Sequence, residues 1–244
     1  MSHMWKTIAR AAILSFAFTA RLACAGDLAD FNAAVEKASA HNRVVLGYLR
    51  TENRELAAVE LGRLRTAWAA VVERFSGKRP DAFAGGELYG TTLTDVSTRI
   101  VAAEMFLQSG RPVNVRESLA GIRHALSKLR RSNGIFVLAD CVLDANAAMD
   151  ALAAYDDRGI DWTKLETRFG IAAKATIYGH ELARCDRMAS QQIHSAPEFR
   201  RLIDGANAGL VLIPKAIATR DSDLLHRIII ELRSFHNLLA FRFG

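Results

Sequence analysis

Proline is scarce in this chain. It occurs four times in 244 residues, at Pro80, Pro112, Pro197 and Pro214. Long stretches are therefore free of the residue that most readily ends a helix. Alternating apolar and polar residues are missing as well. The β-branched side chains recur at helical spacing, which argues against a sheet. Several catalytic signatures are also absent. There is no G-x-S-x-G and no H-E-x-x-H, and so no recognisable nucleophile elbow or zinc-protease helix. Gly77-Lys78 lacks the spacing of a phosphate-binding loop, and no strand precedes it. Glu117, Glu166 and Glu198 have no histidine three residues on, so the Glu-x-x-His pairs of a di-iron bundle are missing.

The first 25 residues have the pattern of a secretory leader. Lys6 and Arg10 precede the apolar run Ala11–Ala20, and Ala23-Cys24-Ala25 forms a small-x-small cleavage site before Gly26. The run is shorter than the ~20 residues a spanning helix needs. Export to a periplasm or the exterior is the expectation, with no transmembrane helix after cleavage. Arg21 occupies the place where a lipoprotein signal needs an aliphatic residue, which argues against lipidation of Cys24. Cleavage lowers the basic count from 32 to 29 against 26 acids, a net charge of +3. So small an excess gives no footprint for nucleic acid. The cluster Lys128, Arg130 and Arg131 suits a helix end favoured by the dipole.

Apolar periodicity then continues along the whole chain. Phe31, Val35, Ala38, Val45 and Leu49 mark one helical face, and Leu56, Val59, Leu64, Ala67 and Val71 mark another. Thr51-Glu52-Asn53 is the expected break between them. Ser76–Thr91, rich in Gly, Pro and Asp, reads as a loop. A third helix is expected over Thr94–Gln108. A fourth starts near Asn114 and stops at Asn133-Gly134. A fifth covers Phe136–Tyr155, followed by a linker at Asp156–Gly159. Trp162–Gln192 reads as one helix, or as two broken at Gly170 or Gly179. Pro197 opens another, which Pro214 kinks. The last, Asp221–Gly244, carries Leu225, Ile228, Ile229, Leu232, Phe235, His236, Leu239 and Phe243 on one stripe, with Asp221 or Ser222 as its cap.

The fold class is therefore all-α, an antiparallel helical bundle. A faint internal echo suggests two tandem four-helix units, 27–135 and 136–244, with packing as one domain the alternative. Glu60-Leu61-Gly62-Arg63 echoes Glu181-Leu182-Ala183-Arg184. Leu126 and Leu129-Arg130 echo Ile229 and Leu232-Arg233. Cys141 and Cys185 remain after leader removal. An oxidising compartment would permit a disulfide, and two buried thiols are the other reading.

The closing segment, a Leu/Ile-rich helix ending in Phe241-Arg242, resembles the cytochrome c′ family of periplasmic four-helix bundles. That family carries C-x-x-C-H before a Phe-Arg or Tyr-Arg ending. Here Ser234, Asn237 and Leu238 stand in place of the two cysteines and the ligand histidine. The resemblance thus implies a bundle that has lost covalent haem, and pairing into a homodimer.

Three groups of residues are candidates for chemistry. His236 lies on the apolar stripe of the last helix and could ligate a non-covalent haem, with Met188, Met105 or Met149 opposite. The alternative is a hydrogen-bonded core histidine. His226, ten residues earlier, is about 15 Å away along the axis and cannot share a metal with it. His180 and Cys185 could hold a soft metal such as copper or zinc, although they are angled apart and lack a third ligand. The alternative there is a solvated face with Glu181 paired to Arg184. The expected function is an exported, non-catalytic bundle that binds a periplasmic protein or small ligand, without cofactor. Electron transfer or haem and metal handling is the alternative.

Overall fold

The computed structural model describes residues 4–157 and 159–244, with side chains from residue 26 onward. The side chains of residues 1–25, and with them the expected leader, lie outside the described residues. Among the described residues the protein is all-α, with helices and no strand. The chain divides into two compact units, Met1–Ile135 and Phe136–Gly244.

The first unit contains α1 (Met4–Arg50), α2 (Arg54–Phe75), α3 (Leu88–Gln108) and α4 (Pro112–Ser132). Helix α1 packs on α2, α2 on α3, α3 on α4, and α4 back on α1. Cross-helix pairs fix the antiparallel sense. Asp30 meets Arg74 and His41 meets Glu60 between α1 and α2. The Trp68 Nε1 donates to Ser97 Oγ at 3.0 Å between α2 and α3. The break between α1 and α2 falls where the pattern places it. The Asn53 side chain accepts from the Leu56 amide at 3.1 Å and so caps α2. One end of this core is aromatic. The Phe31 ring packs edge-on against Phe75 and Phe83, with centroids at 5.4 and 5.3 Å.

The second unit contains α5 (Leu138–Ala153), α6 (Leu165–Met188), a single turn α7 (Gln191–His194), α8 (Pro197–Thr219) and α9 (Ser222–Phe243). Its four long helices have the same connectivity: α5 on α6, α6 on α8, α8 on α9, and α9 back on α5. The echoed segments fall on the second long helix of each unit and on the fourth. Asp221 caps α9 by accepting from the Leu224 amide at 2.8 Å. The stripe Leu225, Ile228, Ile229, Leu232 and Leu239 is buried, each side chain worth roughly 1.5–3 kcal/mol against exposure. Helix α8 meets α9 through two glycines. A Cβ at Gly205 would stand 2.6 Å from the Phe235 ring, and one at Gly209 would stand 3.0 Å from Leu232.

Some helix boundaries differ from the expected ones. Helix α3 begins at Leu88, because Tyr89 and Leu93 are buried and continue its apolar face through the polar-looking Gly-Thr-Thr segment. Trp162 is not helical. It sits in the loop before α6, buried, with Nε1 donating to Ser222 Oγ at 2.8 Å. Helix α6 runs through both Gly170 and Gly179, and α8 runs through Pro214. Among the described residues α8 alone is long and apolar enough to cross a membrane. A third of its apolar window is buried inside the bundle.

Candidate functional site

Cys141 and Cys185 meet. Cys141 on α5 and Cys185 on α6 form a disulfide across a Cα–Cα distance of 5.4 Å. This corrects the expected His180–Cys185 metal pair. The sulfur is committed to Cys141 and offers no thiolate. His180 is exposed on a different face. Among the described residues no group of three or more His, Cys, Asp or Glu side chains is placed to hold a metal ion. Beside the disulfide, Arg184 bridges Glu181 on its own helix, at 2.6 Å, and Asp144 on α5. The expected Glu181–Arg184 pair is thus present, and through Asp144 the partly buried Arg184 also ties α6 to α5.

His236 is 2 % exposed, and both ring nitrogens face protein atoms. Nδ1 lies 3.4 Å from Tyr178 Oη on α6, and Nε2 lies 3.1 Å from Asn146 Oδ1 on α5. Burial raises the Tyr178 pKa far above the ordinary phenol value, so its hydroxyl stays protonated. The three side chains satisfy one another in the core. The expected ligand pair His236 and Met188 is not brought together. Met188 follows Tyr178 by ten residues on one helix, about 15 Å along the axis. It packs at the far end of the unit 2 core. Met149 is buried on α5, one turn from Asn146, and Met105 is exposed on α3 in the other unit. His226 pairs with Asp156 at 2.5 Å.

An open groove of unit 2 lies in the seam between α6 and α8. The helices run antiparallel, tied at one end by the ion pair of Asp186 with Arg200. Midway, Gly179 allows Leu210 to approach. Beyond that point lies a groove of about 630 Å³, within the usual range for a small-molecule site. Ala172, Ala175 and Gly179 keep the α6 wall low, and Leu210, Val211 and Pro214 form the α8 wall. Among the residues lining it none is ionisable; the polar ones are Thr176 and Asn207. Val211 is 75 % exposed. Phe169, 66 % exposed, lies on the same α6 stripe as Ala172 and Thr176 and extends the apolar surface past the groove.

A smaller groove of about 340 Å³ occupies the corresponding α2–α3 seam of unit 1, with Ser76, Tyr89, Thr94 and Ser97 in its lining. Three of its polar side chains, Tyr89, Thr94 and Ser97, donate to backbone carbonyls of their own unit. Tyr89 Oη donates to the Phe75 carbonyl at 3.0 Å, and Ser97 Oγ to the Leu93 carbonyl at 3.0 Å.

The α6–α8 groove has no motif that would announce it. Its sequence signal is a second stripe on α6, made of small residues and set apart from the buried stripe of Ile171, Tyr178 and Leu182. The other sign is a proline inside the apolar helix α8. No protein family, curated protein or solved structure matches the chain.

Proposed function

We propose that the protein is an exported, non-catalytic binding protein, and that its second unit takes a small apolar molecule into the α6–α8 groove. The observation that carries this reading is the groove itself. It is open, apolar and free of ionisable lining residues, and it is large enough for one ligand. A bundle helix that presents Val211 to water gains by covering it, since buried apolar area is worth roughly 25 cal/mol per Å². The Cys141–Cys185 disulfide supports a periplasmic or secreted location, where such bonds persist.

The test uses 1,6-diphenylhexatriene, a hydrocarbon that fluoresces on leaving water. Saturable binding near one probe per chain is expected. Val211→Asp should weaken it roughly tenfold or more, because an unpaired carboxylate would have to be desolvated. Helicity should be unchanged, as Val211 is a surface residue. Absence of saturable fluorescence, or equal binding by Val211→Asp, would overturn the reading.

A further inference from the structure

A proline inside a helix has no N–H to offer the carbonyl four residues earlier. In α8 that proline is Pro214 and that carbonyl belongs to Leu210, and both residues line the groove. Pro214 therefore leaves the Leu210 carbonyl without its i+4 helical donor, between two residues that both line an otherwise apolar groove. One turn before Leu210, and on the same stripe, stands the side-chain amide of Asn207. Across the groove the Thr176 hydroxyl donates to the Ala172 carbonyl at 2.9 Å, which leaves its oxygen free to accept.

We infer that the groove binds a neutral amphiphile, an apolar body with one uncharged hydrogen-bond donor end, and that the donor end is read by the Leu210 carbonyl and Asn207. Both halves of this inference come from the lining. A carboxylate or ammonium headgroup would find no countercharge among the lining residues and would lose solvation there. A pure hydrocarbon would cover the Leu210 carbonyl without satisfying it, which is costly for an acceptor removed from water. A hydroxyl or amide N–H supplies what Pro214 withholds.

The inference rests on the groove being the binding site, and the experiment separates the two. Bound diphenylhexatriene is displaced in turn by 1-dodecanol, by dodecyl methyl ether, which has no donor, and by dodecanoate. The alcohol should displace the probe at roughly three- to tenfold lower concentration than the ether, the ratio for one net hydrogen bond. Dodecanoate should be weakest. In Pro214→Ala the residue at 214 regains its N–H and engages the Leu210 carbonyl. Probe affinity is measured afresh in this variant, and the preference for alcohol over ether, taken as a ratio within the variant, should fall toward unity. Asn207→Leu, at an exposed position, should reduce the same preference and serves as the second variant. Equal displacement by alcohol and ether, or a preference unchanged in both variants, overturns this inference while the groove stands. Failure of the probe to bind at all removes the groove reading and this inference with it.

Discussion

Gly179 of α6 faces Leu210 of α8 so closely that a Cβ at 179 would lie 3.3 Å from the Leu210 Cδ1. The missing side chain sets the floor of the groove, and a larger residue would fill it. We expect Gly179→Leu to weaken diphenylhexatriene binding at least roughly tenfold. The fold should survive, because a helix-interior glycine is about 1 kcal/mol worse than alanine and that gain offsets a small shift of Leu210. Probe titration alongside thermal unfolding by circular dichroism checks both halves. Unaltered affinity would show that the probe sits elsewhere.

The disulfide closes a loop with a sequence separation of 44 residues, entirely within unit 2. On the chain-entropy account such a loop stabilises by roughly 4 kcal/mol, with measured cases often lower. Replacing Cys141 and Cys185 by serine should therefore lower the unfolding midpoint of unit 2 and leave that of unit 1 in place. Trp162 in unit 2 and Trp68 in unit 1 provide separate fluorescence reports once the other and Trp5 are changed to phenylalanine. A shift of equal size at both tryptophans would contradict local action.

His236 holds Tyr178 and Asn146 in a shared core network. His236→Ala would leave the Tyr178 hydroxyl without this partner and open a cavity, two effects that together cost roughly 2–4 kcal/mol. Urea denaturation should show a lower midpoint with the slope unchanged. A loss below about 0.5 kcal/mol, the usual size for a surface change, would mean that the network contributes little.

Burial pushes the Tyr89 phenol from 10 up to about 12, with the Arg79 charge opposing. In the unfolded chain the same group loses its proton near 10. Between those values the unfolded state holds fewer protons, so stability falls as pH rises. It is fully present below pH 10 and lost on approach to 12. Unit 1 should thus unfold in alkali, and Tyr89→Phe should flatten that part of the pH dependence. Absorbance of phenolate at 295 nm, followed with helicity, tests the coupling.

Local sequence signals marked most of the architecture. The stripe Leu225–Leu239 and the cap Asp221 fall where periodicity and short oxygen-bearing side chains place them, and the break at Thr51-Glu52-Asn53 falls where the pattern lapses. The start of α3 was hidden because Gly90 and Thr91 read as loop, while burial of Tyr89 and Leu93 decides the matter through tertiary packing. Trp162 read as helix because it is apolar, yet it is held by a bond to Ser222, 60 residues away. The groove was least legible of all. Its walls come from two helices whose facing residues are more than thirty positions apart, and the residues that create the space are glycine and alanine, which create it by being small. The pairing of Cys141 with Cys185 was open for a similar reason, since it depends on the register of α5 against α6.

Both units close a ring in which each long helix touches the next in sequence, and only the last returns to the first. Nearly all the pairing is therefore between neighbours along the chain, the arrangement that folds fastest. A polypeptide emerging amino end first can complete unit 1 while unit 2 is still being delivered. The sulfur bridge lies wholly in the later half. Forming this bridge is thus the concern of the last hundred-odd residues, and an oxidant that arrives late for it finds unit 1 already packed.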